Sequence, residues 1–196
     1  MNICVIPARG GSKRIPKKNI KEFNGKPIIA YSIEVAFKSN CFDKVIVSTD
    51  DDEIAEIAKK YGAKVPFIRP NELSNDYAGT IPVIKHAIEW LENNNNTIDN
   101  VCCLYATAPF IQSRTISQAF QQFQESKANY CFSVTSFAFP IQRAIKVTAE
   151  NRIEMFYPKY LETRSQDLEE SYHDAGQFYW GKAEAFKQQK SLFSKS

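Results

Sequence analysis

Residues 2–20 read NICVIPARGGSKRIPKKNI. Asn2–Pro7 is a short continuous apolar run, the mark of a strand buried on both faces. The next residues are basic and include glycine: Arg9, Gly10, Gly11, Ser12, Lys13, Arg14, then Lys17, Lys18 and Asn19. Open α/β sheets bind ligands outside the carboxyl ends of their strands. Two adjacent glycines allow positive φ and close backbone approach, so successive N–H groups can form a concave anion nest. Arginine and lysine on either side supply phosphate partners. Neither G-x-x-x-x-G-K-[ST] nor G-x-G-x-x-G fits this loop. The plain alternative is a solvated basic turn. Its place directly after a buried first strand favours phosphate binding.

The charge distribution agrees. Residues 1–26 carry seven Lys/Arg against Glu22 alone, a net +6, while the whole chain is +3 and the rest therefore −3. One basic patch on a near-neutral chain suits a discrete anionic ligand better than a nucleic-acid surface. With 196 residues, 43% of them hydrophobic and 24% charged, the composition is that of a globular domain. No apolar run approaches the roughly 20 residues of a membrane span. The run Ile3–Pro7 is too short for an export signal, and positive charge comes after it instead of before it. Cys4, Cys41, Cys102, Cys103 and Cys131 are odd in number, lack C-x-x-C spacing and mostly sit in apolar runs. They read as small buried hydrophobes in a reducing, cytoplasmic setting. His86 and His173 are far apart and neither has a cysteine at ligand spacing, which argues against zinc.

Working outward, strand-like runs alternate with helical periodicity. Pro27 is expected as a first helical residue, with Ile29, Ile33, Ala36 and Phe37 on one face. Lys44–Thr49 reads as a second strand and Lys64–Ile68 as a third. A helix from Thr80 places Ile81, Ile84, Ile88 and Leu91 together, and Ile116, Phe120 and Phe123 stripe another. Asn100–Tyr105 and Asn129–Ser136 read as fourth and fifth strands. The alternation predicts an α/β fold, a mostly parallel sheet with helices on both faces. After residue 137, Pro140, Pro158 and short strand-like pieces at Ala144–Val147 and Gln177–Trp180 predict a β-rich accessory segment, about 137–180, within a single domain 1–196.

Five further stretches stand beside the opening IPARGGSKRIPKKNI: VIVSTDDDEIAEIAKKYGA (45–63), PFIRPNELSND (66–76), CCLYATAPFI (102–111), FSVTSFAFPIQRA (132–144) and TRSQDLEESYHDAGQFYWGKAEA (163–185). Together they resemble the CMP-sialic acid synthetase family of cytidylyltransferases, over residues 1 to about 187. The last two point to its pseudaminate branch. The resemblance implies a Rossmann-like nucleotidyltransferase fold and transfer of CMP from CTP to the anomeric hydroxyl of pseudaminic acid, with release of pyrophosphate. It implies that Ala8, Arg9, Gly10, Gly11, Ser12, Lys13, Arg14, Asn19 and Arg69 bind the nucleotide, with Arg9 and Lys18 catalytic. Tyr105, Thr107, Gln142, Arg143, Arg164 and Gln166 are then sugar-side residues, with Asp167 beside them. It also implies Mg²⁺ or Mn²⁺, a homodimer built through the accessory segment, and no nucleic-acid or membrane partner. The family's Asp-x-Asp-Thr-like metal motif is expected a few dozen residues beyond this stretch and does not occur in it. The metal ligands are therefore unassigned, and the 196-residue form is expected to be weakly active or inactive.

Three alternatives stay open at this level: N-acetylneuraminate or legionaminate as acceptor, a nucleotide-binding module without catalysis, and an RNA-binding protein. Several residues have two readings. Asp50, Asp51 and Asp52 are metal ligands at a strand end or, more simply, a helix cap with first-turn acids. His173 is a catalytic base or a hydrogen-bonding partner. Tyr172, Phe178, Tyr179 and Trp180 are a stacking platform or core and interface aromatics.

Overall fold

The computed structural model describes residues 1–193. They divide into two compact units: 1–133 with 176–193, and 134–175. In the first, β1 (Asn2–Pro7) leads through the basic loop to a two-residue hairpin, β2 (Glu22–Phe23) and β3 (Lys26–Pro27). Then come α1 (Ile28–Ser39), β4 (Lys44–Ser48), α2 (Asp52–Lys60), α3 (Thr80–Asn93), β5 (Asn100–Leu104) and α4 (Ser113–Glu125). The boundary between the units falls within β6 (Tyr130–Ser136) and again within β9 (Tyr172–Lys182), after which comes α5 (Ala183–Lys187). The second unit carries β7 (Ile145–Val147) and β8 (Ile153–Met155).

The main sheet has the order β4-β1-β5-β9-β6. β1 pairs in parallel with both β4 and β5, and β9 pairs antiparallel with β5, Cys102 opposite Trp180. Strand periodicity sends alternate residues to opposite faces. Cys4, Val47, Cys102, Leu104, Phe178 and Trp180 face one layer with Ile33 of α1, Ile54 of α2 and Ile116 of α4. Ile3, Val5, Ile46, Val101, Cys103 and Tyr179 face the other, with Ile84 and Ile88 of α3 and Phe186 of α5. A helix-covered, mostly parallel sheet is thus what the alternating pattern implied.

Several sequence expectations need correction. Lys64–Ile68 is no strand. It touches β4 only through isolated bridges, Ile46 to Lys64 and Thr49 to Ile68. Pro66 lies between them and has no N–H to give a ladder. Gln177–Trp180 is not part of an accessory piece; it lies inside β9, eleven residues long and packed into both layers. Pro27 stands just before α1, as its N-cap, one position earlier than read.

Within the second unit, β7 and β8 form an antiparallel hairpin with Lys146 opposite Glu154. Side-chain to backbone hydrogen bonds hold much of the rest: Arg143 Nη1 donates to Thr163 O at 2.9 Å and Gln142 Nε2 to Glu169 O at 3.0 Å. No helix among the described residues is long and apolar enough to cross a membrane.

Candidate active site

The loop after β1 is tied down from behind. Ala8 is fully buried and its N–H donates to Ser48 O of β4 at 2.9 Å. Gly10 N–H donates to Asp50 Oδ1 at 3.0 Å, and Ser12 N–H to Gly10 O at 2.9 Å. Buried Asn19 donates from Nδ2 to Arg9 O at 2.9 Å. The glycines act differently from expectation. Neither Gly10 nor Gly11 adopts a positive φ. Gly10 is required sterically, because a Cβ there would stand 2.5 Å from Asp51 Oδ2 and 2.8 Å from its Cβ. The N–H groups of Gly10 and Ser12 are engaged internally, so the anion nest is reduced and side chains carry most of the positive charge.

The three aspartates after β4 divide their work. Asp51 Oδ1 accepts from Ile54 N–H at 3.0 Å and caps α2, in agreement with the simpler reading. Asp50 is not the cap. Its carboxylate holds Gly10 N–H and faces Arg69 Nη2 at 3.5 Å. Arg69 is 4% exposed and also donates from Nε to Ser74 Oγ at 3.1 Å. Burial pulls its pKa below the usual arginine value, and the Asp50 charge opposes that shift.

These elements enclose a cavity of about 460 Å³ beyond the ends of β1 and β5. Arg9, Ser12, Arg14, Lys18, Asn19 and Arg69 line it, and so do Tyr105 and Thr107 from the turn after β5. Ser32 Oγ donates to Tyr105 O at 2.8 Å, and the Tyr105 hydroxyl lies 3.1 Å from Thr80 Oγ1, which fixes that turn against α1 and α3. Lys13 lines an adjoining hollow together with Arg9 and Lys18. Ala8, Gly10 and Gly11 form the backing of the loop and do not line the cavity. Lys17, left-handed at φ 50°, pairs with Glu53.

Residues 3–193 match the family described as Cytidylyltransferase. The chain belongs to the cytidylyltransferase family. It is 50% identical over 192 residues to a pseudaminic acid cytidylyltransferase of Campylobacter jejuni, covering 98% of this chain and 83% of that one. It is 38% identical to a Helicobacter pylori protein named pseudaminic acid cytidylyltransferase and UDP-2,4-diacetamido-2,4,6-trideoxy-beta-L-altropyranose hydrolase, covering 99% of this chain and 37% of that one. The solved CMP:2-keto-3-deoxy-manno-octonic acid synthetase complexed with CTP superposes with a TM-score of 0.69 at 21% identity, over 100% of this chain and 79% of its own, a likeness of fold. This cytidylyltransferase is accordingly a nucleotidyltransferase enzyme.

The remaining sugar-side expectations lie in the second unit. Gln142 and Arg143 are engaged with backbone carbonyls of that unit, Arg164 Nε pairs with Asp167 Oδ2 at 2.7 Å, and Gln166 lines a small hollow with Phe137 and Phe139. The His173 ring packs edge-on against Phe137 at 4.8 Å. Phe178, Tyr179 and Trp180 are core, and Tyr172 is exposed. Asp76, which the sequence does not single out, lines the cavity and pairs with Arg9 and Lys13. Nothing in the local pattern of its polar loop marks it.

The geometry assigns no carboxylate set to a magnesium ion. No group of three or more His, Cys, Asp or Glu among the described residues could hold a metal ion, and Asp50 and Asp76 both face guanidinium or ammonium groups.

Proposed function

We propose that this cytidylyltransferase transfers CMP from CTP to the anomeric hydroxyl of pseudaminic acid and releases pyrophosphate. The supporting observation is the cationic cavity beyond β1 and β5, together with half-identity to a pseudaminic acid cytidylyltransferase across nearly the whole chain. In this reading the hydroxyl oxygen attacks the α-phosphorus in line. The new P–O bond forms as the bond to the bridging oxygen breaks; pyrophosphate carries away the electron pair and the hydroxyl proton passes to solvent. Such a transfer needs little covalent help from the protein; positioning and charge stabilisation dominate. Arg9 and Arg14 would grip phosphate oxygens, Lys18 would meet charge building in the transition state, and buried Arg69 would give a fixed positive wall. Ser12 and Asn19 would orient the nucleotide. Tyr105 and Thr107, across the cavity, would face the acceptor. The reaction is proposed to require Mg²⁺ or Mn²⁺.

The exposed Ile145, Val147, Ile153 and Leu161 support a homodimer, which light scattering measures. Free cysteines suit a cytoplasmic enzyme.

The test is pyrophosphate release from CTP and Mg²⁺ with pseudaminic acid, N-acetylneuraminic acid and legionaminic acid in parallel. Preference for pseudaminic acid is expected. Release with another acid alone reassigns the acceptor, and tight CTP binding with no release under any metal leaves a binding module. Lys18→Ala should lower turnover on the order of 10²–10³-fold, as loss of one preorganised donor does. Near-wild-type turnover removes Lys18 from the mechanism.

A further inference from the structure

The cationic loop already holds an anion. Asp76 Oδ1 lies 2.7 Å from Arg9 Nη2, and Asp76 Oδ2 lies 2.5 Å from Lys13 Nζ. One carboxylate thus bridges two cations, the contact a phosphate group would make with the same pair. Lys13 and Arg9 together hold its pKa below the ordinary carboxylate range, so it is charged at neutral pH.

The loop presenting it is built, not loose. Asn75 Oδ1 accepts the N–H groups of Tyr77 at 2.8 Å and Ala78 at 3.0 Å, and Asn75 Nδ2 donates to Glu72 O. Ser74 Oγ donates to Pro70 O at 3.0 Å while accepting from Arg69. Asp76 therefore differs from Asp50. Asp50 sits behind the loop, bonded to its backbone; Asp76 pairs with the loop's cationic side chains, one of which, Lys13, is four-fifths exposed.

We propose that Asp76 is a displaceable counter-ion. It holds Arg9 and Lys13 when no nucleotide is bound, yields them to the polyphosphate, and reclaims them as pyrophosphate leaves. The proposal rests on the nucleotide reading above. Its physical basis is competition. Uncompensated cations would grip pyrophosphate through charge-assisted hydrogen bonds, and slow product release limits many enzymes. With Asp76 in place, an incoming anion gains only the difference between its own contacts and those it replaces. That difference applies equally to CTP and to pyrophosphate. Cytidine, which has no phosphate, leaves the pair intact and serves as the internal control.

The experiment is calorimetric titration of wild type, Asp76→Asn and Asp76→Glu with pyrophosphate, CTP and cytidine, without divalent metal. For Asp76→Asn, the Kd for pyrophosphate and for CTP should fall roughly three- to tenfold at low salt, the range two solvated ion pairs support. The gain should shrink at about 0.5 M salt, and cytidine affinity should not move. Asp76→Glu should stay near wild type. Unchanged or weaker pyrophosphate binding in Asp76→Asn overturns the proposal, and so does equal tightening of cytidine. If wild type binds CTP and Asp76→Asn does not tighten, only the counter-ion role fails. If wild type binds neither CTP nor cytidine, the nucleotide reading itself fails.

Discussion

The two compact units solve the burial problem in opposite ways. In residues 1–133 with 176–193, a five-stranded sheet is covered on both faces, and Phe178, Trp180 and Phe186 are essentially without solvent contact. In residues 134–175, Ile145, Val147, Ile153 and Leu161 are each more than half exposed, and backbone and side-chain hydrogen bonds do most of the holding. The first unit gains stability from apolar area removed from water. The second leaves that area available. A polar cavity can thus be carried at the edge of a unit whose interior is already complete. Its loop can then be held in place by neighbours without endangering the fold.

The largest effect that could break this contrast is in the core. Trp180 stacks on Phe42 at 4.9 Å and donates from Nε1 to Ile116 O at 3.1 Å. Trp180→Ala should cost about 3–5 kcal/mol in chemical denaturation. A loss below about 1 kcal/mol would mean that the sheet is not held from within.

Gly10→Ala sharpens the same point at the cavity. The added methyl meets the Asp51 side chain, so the loop must shift, and KM for CTP should rise at least tenfold with little change in melting temperature. Asp51→Gly removes the opposing atoms and, as a glycine cap, costs only a few tenths of a kcal/mol. The double variant should recover most of the CTP affinity, a coupling a double-mutant cycle reads directly. Additive losses would place the requirement for glycine elsewhere.

The smallest effect is expected in the second unit. Val147→Ser and Ile153→Ser should each change monomer stability by no more than about 0.5 kcal/mol. They should weaken self-association in the analytical ultracentrifuge if the proposed homodimer uses that face. A multi-kcal/mol loss in a dilute sample would show that these side chains are internal after all.

Much of this is visible in the residues. Period-2 and period-3.6 patterns place β1, β4, β5, α1, α3 and α4 close to where they stand, because a buried face forces that spacing on the chain. The basic loop after β1 is legible from charge and position. Arg9, Ser12, Arg14, Lys18, Asn19, Arg69, Tyr105 and Thr107, expected on the resemblance, line one cavity. The misses share a cause: strand composition does not say which neighbour a segment pairs with. Lys64–Ile68 has that composition, yet Pro66 withholds a donor the ladder needs. The run Gln177–Trp180 reads as accessory because it follows a stretch of short strand-like pieces after Pro140 and Pro158, although it inserts between β5 and β6.

A helix-covered α/β sheet with one concentrated cationic loop after its first strand is written into the order of the residues, since burial periodicity and local charge are properties of neighbours along the chain. What those cations face is set by the folded arrangement. Asp50 and Asp76 reach the loop from 40 and more residues away, one on its backbone and one on its side chains. Electrostatic pairing depends on distance in space, and that distance is set when β1, β4 and the segment before α3 come together.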